Sequence, residues 1–192
     1  MNLPNKLTIS RIFMVPVFAV FAARAAQTHG AGMYLAAGLV FALASFTDML
    51  DGKIARKYNL VSSFGKFADP LADKMLTTAA FLYMLREGVC DPAALLLILA
   101  REFAVSGLRM LAAGSEGGAV IAANMWGKVK TVLQMLSILV FYFGCAAAPE
   151  SAPLRAVSGI LCWLCALATL ISGATYFKGA AGLFKESSHT KV

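Results

Sequence analysis

Residues 48–74 read DMLDGKIARKYNLVSSFGKFADPLADK. The stretch holds four aspartates, two glycines and five basic residues. Asp48 and Asp51 are three apart, and Asp69 and Asp73 are four apart. On a helix either spacing puts both carboxylates on one face. Apolar runs flank the stretch on both sides, AAGLVFALASF at 36–46 and MLTTAAFLYML at 75–85. If those runs are helices, the stretch joins them as a hairpin and gathers four carboxylates at one end of two hydrophobic segments.

The composition sets the surroundings of that hairpin. Hydrophobic residues make up 59% of the 192 residues and charged residues 14%. A soluble domain carries roughly 45–50% and about 25%, so this balance predicts a membrane protein, and the length suits one domain over 1–192. A bilayer core of ~30 Å takes about 20 apolar residues in helix. Six such spans are expected, at 9–28, 31–50, 67–86, 92–113, 121–147 and 153–177. Turn-rich breaks separate them: QTHGAG, KYNLVSSFG, EGVCDP, AGSEGG and AAPESAP. The runs are long and rich in Ala and Leu rather than alternating, which disfavours strands. The expected fold is therefore an all-α polytopic membrane protein with six transmembrane helices. The ARA at 23–25 imitates a signal-peptide cleavage site. The five spans that follow it make a retained first span at least as natural.

The formal net charge is +7. No basic cluster is interleaved with aromatics on a polar face, so nucleic acid is not an expected partner. Placing the N-terminus in the cytoplasm puts 14 of the 17 Lys and Arg residues on that side and leaves only Arg24, Arg86 and Arg155 opposite. That asymmetry follows the positive-inside rule. It sets both termini and the aspartate cluster on the cytoplasmic face, with a bacterial cytoplasmic membrane as the expected location. Cys162-x-x-Cys165 has metal or redox spacing but lies in an apolar run without a nearby histidine. It reads as two small hydrophobes, and Cys90 and Cys145 are expected to be thiols.

Four carboxylates at the edge of a low-dielectric slab repel one another and are costly to desolvate. Divalent cations with oxygen ligands relieve this, and an all-carboxylate set suits Mg²⁺ or Mn²⁺. Mg²⁺ held by few carboxylates usually completes its shell with phosphate oxygens, so a pyrophosphate is the expected ligand. Gly52 and Gly65 allow a close approach, and Arg56 offers a planar donor fork. Pro70 is tolerable in a first helical turn, so the third helix is expected to begin only a few residues before it.

The whole pattern is Asp48-x2-Asp51-Gly52-x2-Ala55-Arg56-x8-Gly65-x3-Asp69-x3-Asp73. It resembles the signature of the CDP-alcohol phosphatidyltransferases. NLPNKLTISRIFMVPVF at 2–18, FGKFADPLADKMLTTAA at 64–80, REFAVSGLRMLAA at 101–113, NMWGKVKT at 124–131 and ISGATYF at 171–177 look like the branch of that family whose acceptor is glycerol 3-phosphate. The resemblance implies the family's six-span fold, usually a homodimer among membrane lipids, with a polar cavity open to the cytoplasm. It implies two divalent cations on Asp48, Asp51, Asp69 and Asp73. It also implies CDP-diacylglycerol with its pyrophosphate on those metals, Asp48, Gly52, Ala55, Arg56 and Gly65 about the liponucleotide, and Asp73 as general base.

The acceptor is read from a second cluster. Arg101, Arg109, Lys128 and Lys130 lie in or beside spans that should be apolar, where charge is expensive and usually lines a cavity or is paired. Glu102 adjoins Arg101 and is expected to face elsewhere on the helix, which leaves the cluster in want of an anion. A phosphorylated acceptor, sn-glycerol 3-phosphate, fits Arg101, Arg109 and Lys128. Lys130 fits this reading and a snorkelling one equally. Asn5, Thr8 and Arg11 are expected to border the same cavity. Three other readings stay open: phosphatidylglycerol as acceptor, another alcohol acceptor within the same family, and an ion-coupled transporter. The position of the aspartates at span ends, and the lack of an internal repeat, speak against the transporter.

Overall fold

The computed structural model describes residues 3–57, 63–114 and 125–179, with side chains at 9–50, 71–72, 74–110 and 125–178. Among these residues there are six helices and no strand: α1 (Leu3–Thr28), α2 (Ala31–Lys57), α3 (Ser63–Arg86), α4 (Pro92–Gly114), α5 (Met125–Ala147) and α6 (Ala152–Gly179). The protein is an all-α polytopic membrane protein. Ile9–Thr28, Ala31–Leu50, Met125–Ala147 and Ala152–Lys178 are each long and apolar enough to cross a bilayer. The other two helices carry more charge, α3 through its aspartates and lysines and α4 through Arg101, Glu102 and Arg109. Even so, Leu96, Phe103 and Met110 of α4 are each 68% exposed. Their spacing of seven aligns them as one apolar stripe, the surface lipid would cover.

The helix ends follow the local chemistry. His29 (φ 50°) stops α1 in a left-handed conformation that few non-glycine residues adopt, and its N–H still reaches the Ala25 carbonyl at 2.8 Å. Gly88 (φ 71°) ends α3 in the way glycine permits, with the Val89 N–H returning to the Met84 carbonyl at 2.9 Å. Asp91 caps α4 by accepting the Ala93 N–H at 2.7 Å.

Three boundaries differ from the sequence reading. α1 starts at Leu3 rather than at residue 9, so Asn5, Thr8 and Arg11 all lie on the helix. α2 runs on to Lys57 and carries Asp48, Asp51, Gly52, Ala55 and Arg56 within the helix. α3 starts at Ser63, so Pro70 falls two turns inside it and not in its first turn. A proline deletes one rung of the hydrogen-bond ladder. The expected start of the fifth span, at 121–124, lies outside the described residues.

The chain divides into two compact units, Met1–Cys90 with Met135–Gly159, and Asp91–Gln134 with Ile160–Val192. In the first, α1 packs against α2 and α3. Phe18, Tyr34, Phe41, Phe141 and Tyr142 form an aromatic cluster with ring centroids 5.0–6.5 Å apart, a separation that favours edge-to-face contact. A side chain at Gly38 would meet Tyr142 and Phe143 at 3.3 Å, so glycine lets α2 approach this cluster closely. All four cysteines are buried, and none forms a disulfide.

At the end of α3 remote from the aspartates, Glu87 is 2% exposed. Its carboxylate accepts the Tyr34 hydroxyl proton at 2.5 Å and lies 3.6 Å from Arg155 Nη1. The second Arg155 nitrogen donates to the Glu87 carbonyl at 2.5 Å. One carboxylate thus ties together the starts of α2 and α6 and the end of α3. Glu87→Ala would take the carboxylate from the Tyr34 hydroxyl and from Arg155 Nη1, leaving the phenol with His29 Nδ1 at 3.3 Å and Arg155 with the backbone carbonyl at 87. A loss of about 2–3 kcal/mol is expected, the lower side of the range for a broken buried pair because Arg155 can rehydrate. Chemical unfolding in detergent micelles reads this directly, and an unchanged midpoint would contradict the clamp.

Candidate functional site

Asp48 and Asp51 lie in the last turns of α2, and Asp69 and Asp73 lie in the first half of α3, with five residues between the helices. The side chains of Asp51, Asp69 and Asp73, and those of Gly52, Ala55, Arg56, Gly65, Asn5 and Thr8, lie outside the described residues. Asp48 is described. Its carboxylate is 35% exposed, and Oδ1 stands 2.5 Å from Nη1 of Arg11, whose side chain is fully buried. A buried guanidinium needs a counterion, and Asp48 supplies it. Arg11 thereby holds one oxygen of the first aspartate. The donor set is carboxylate oxygen throughout, which fits a hard divalent cation.

The second cluster lies in the other unit. Arg101 and Glu102 are on α4, Lys128 and Lys130 on α5, and Ser172 and Tyr176 on α6. Arg101 Nη2 donates to the Ser172 hydroxyl at 2.6 Å, and Arg109 Nη2 donates to the Tyr176 hydroxyl oxygen at 2.6 Å. Both guanidinium carbons also lie over the Tyr176 ring, at 5.2 and 5.1 Å from its centroid, within cation–π range. Gly173 clears room for this, since a side chain there would meet Arg101 Cγ at 3.1 Å. Lys128 is exposed. Arg101 Nε is buried without a hydrogen-bond partner among the described residues.

Glu102 corrects the sequence reading. It does not face away. Its Oε1 pairs with Lys130 Nζ and stands 3.4 Å from Arg101 Nη1. Neighbouring residues on a helix diverge at Cβ, but long side chains can converge on a third group, and buried Lys130 is that group. Lys130 is thereby neutralised inside the protein and is not a snorkelling residue. Glu102 thus serves two cations, Lys130 and Arg101; Lys128, two residues from buried Lys130 on α5, is exposed and is not brought into these contacts among the described residues.

Ser172 and Tyr176 were not singled out in the sequence, although ISGATYF was. Two polar residues four apart in an apolar run share a helix face, and that was the available signal.

A family model described as CDP-alcohol phosphatidyltransferase matches residues 1–171, and the chain belongs to that family. Among curated proteins, a CDP-diacylglycerol--glycerol-3-phosphate 3-phosphatidyltransferase of Rickettsia felis is 41% identical over 183 residues, 95% of this chain and 97% of its own length. One of that name from Bacillus subtilis is 37% identical over 188 residues, 92% of this chain and 93% of its own length. One from Mycoplasma pneumoniae is 37% identical over 156 residues, 74% of this chain and 68% of its own length.

The Glu102–Lys130 pair generates a stability prediction. Glu102→Ala takes from Lys130 and Arg101 the carboxylate they share, and Lys130→Ala removes the nearer of those two cations from Glu102. A double-mutant cycle on unfolding in detergent should give a coupling of about 1–3 kcal/mol, as for contacting charged residues. Additive losses would show that the two side chains do not interact.

Proposed function

We propose that this protein transfers the phosphatidyl group of CDP-diacylglycerol to a hydroxyl of sn-glycerol 3-phosphate, giving phosphatidylglycerophosphate and CMP. What carries the reading is the one activity named for relatives that align with nearly the whole chain. The oxygen-donor pattern at 48–73 and the cationic cluster on α4 to α6 support it, because they suit a pyrophosphate donor and a phosphorylated acceptor respectively.

Asp48, Asp51, Asp69 and Asp73 would hold two divalent cations, Mg²⁺ or Mn²⁺, with Arg11 behind Asp48. Bound there, the cations would neutralise the pyrophosphate and the departing CMP. Gly52, Ala55, Arg56 and Gly65 would line the liponucleotide. Asp73 would accept the acceptor's hydroxyl proton as oxygen bonds to the phosphatidyl phosphorus and the bond from phosphorus to CMP breaks. Arg101, Arg109 and Lys128 would grip the acceptor's phosphate, two as forks and one as a point charge. Orientation follows the Lys and Arg asymmetry, with the site and both termini in the bacterial cytoplasm. All six helices would span the bilayer, and the enzyme would work as a homodimer.

The test is transfer from radiolabelled CDP-diacylglycerol by the purified protein in lipid. Phosphatidylglycerophosphate is expected with glycerol 3-phosphate, and no cardiolipin with phosphatidylglycerol. Arg109→Ala should raise the glycerol 3-phosphate KM about 10- to 150-fold, the equivalent of one charge-assisted hydrogen bond, and leave the CDP-diacylglycerol KM alone. Cardiolipin as the product would reassign the acceptor. Accumulation of solute in sealed vesicles without lipid product would replace the enzyme reading with transport.

A further inference from the structure

Tyr176 is 3% exposed, yet it touches two cations rather than the apolar core alone. Arg101 and Arg109 stand eight residues apart on α4, just over two turns, so helix geometry alone separates their backbones by about 12 Å. Both guanidinium carbons are nevertheless within 5.2 Å of one ring centroid, which holds the two charges within about 10 Å of each other. Like charges brought together repel, and each arginine has many rotamers that would part them. The electron-rich ring offsets that repulsion, and the hydroxyl oxygen receives Arg109. One turn earlier, Ser172 receives Arg101. Among the described residues no carboxylate pairs with Arg109, and Arg101 shares Glu102 with Lys130. The pair is thus assembled without being neutralised.

We propose that Tyr176 is a positioning residue for the acceptor's phosphate: its ring and hydroxyl hold Arg101 and Arg109 together so that both forks close on one phosphate, while Ser172 sets the direction of the Arg101 fork. This rests on the acceptor reading above. It adds the residue that makes two separate cations into one site. The specificity it confers is for a phosphate monoester over an uncharged alcohol, because only a dianion repays two preassembled forks.

Tyr176→Leu and Tyr176→Phe separate this role from simple packing. Leucine removes ring and hydroxyl; phenylalanine keeps the ring that lies beneath both arginines. Tyr176→Leu should raise the glycerol 3-phosphate KM roughly tenfold, the scale of a desolvated cation–π contact. The CDP-diacylglycerol KM should stay put. Tyr176→Phe should recover most of the loss, to within about threefold of wild type. A second readout is direct: calorimetric binding of inorganic phosphate to the full-length protein in lipid, which should weaken in the order wild type, phenylalanine, leucine. Equal phosphate affinity in all three proteins, or a leucine variant whose two KM values move together, would overturn the role of Tyr176. If wild type makes no phosphatidylglycerophosphate, the acceptor assignment falls. The phosphate titration then still decides whether Tyr176 assembles an anion site.

Discussion

An ionised side chain costs several kcal/mol to strip of water inside a helical bundle surrounded by lipid, unless a partner of opposite sign comes with it. That constraint organises three of the charged contacts described in this protein. Arg11 is buried and closes on Asp48. Glu87 is buried and is closed by Tyr34 and Arg155. Lys130 is buried and closes on Glu102. Each pairing joins different helices, so the same contacts that make the charges tolerable also fix the helices. The apolar surface contributes less to the choice of partners, because an exposed leucine is equally at home against any other helix or a lipid tail.

Two places concentrate charge, and the chemistry proposed for the chain draws on both. The end of α2 and the first half of α3 carry four aspartates, among the five basic residues of 48–74. On α4 and α5, Arg101 and Lys130 share Glu102, and among the described residues no carboxylate pairs with Arg109. In the proposed function the first place would take divalent cations and the second a phosphate. A reaction that joins a pyrophosphate donor to a phosphorylated alcohol needs both.

Much of this was legible in the sequence, because the signals were local. The apolar run lengths gave six helices, and the turn-rich breaks EGVCDP and AAPESAP fall at the observed ends of α3 and α5. The aspartate spacing placed both pairs on helices. The errors came where local rules meet long-range packing. Pro70 looked like a helix start because a proline in isolation disfavours a helix interior; nothing in the sequence says how much helix the fold supports on either side. Glu102 looked averted from Arg101 because side-chain direction was read on one helix, whereas Lys130 of another helix draws it in. Ser172 and Tyr176 were passed over because a hydroxyl in an apolar helix is ordinary until the arginine facing it is known.

The central claim is that the carboxylates at the end of the α2–α3 hairpin form a divalent-cation site, with Arg11 fixing one ligand. The most direct measurement is the stoichiometry of Mn²⁺ bound to the purified, chelator-stripped protein, read by electron paramagnetic resonance with and without CDP-diacylglycerol. Two ions per chain are expected with the liponucleotide present, fewer in Asp48→Asn and Asp69→Asn, and weaker binding in Arg11→Met. Wild type and aspartate variants that bind no Mn²⁺ above buffer, or that bind it equally, would contradict the claim.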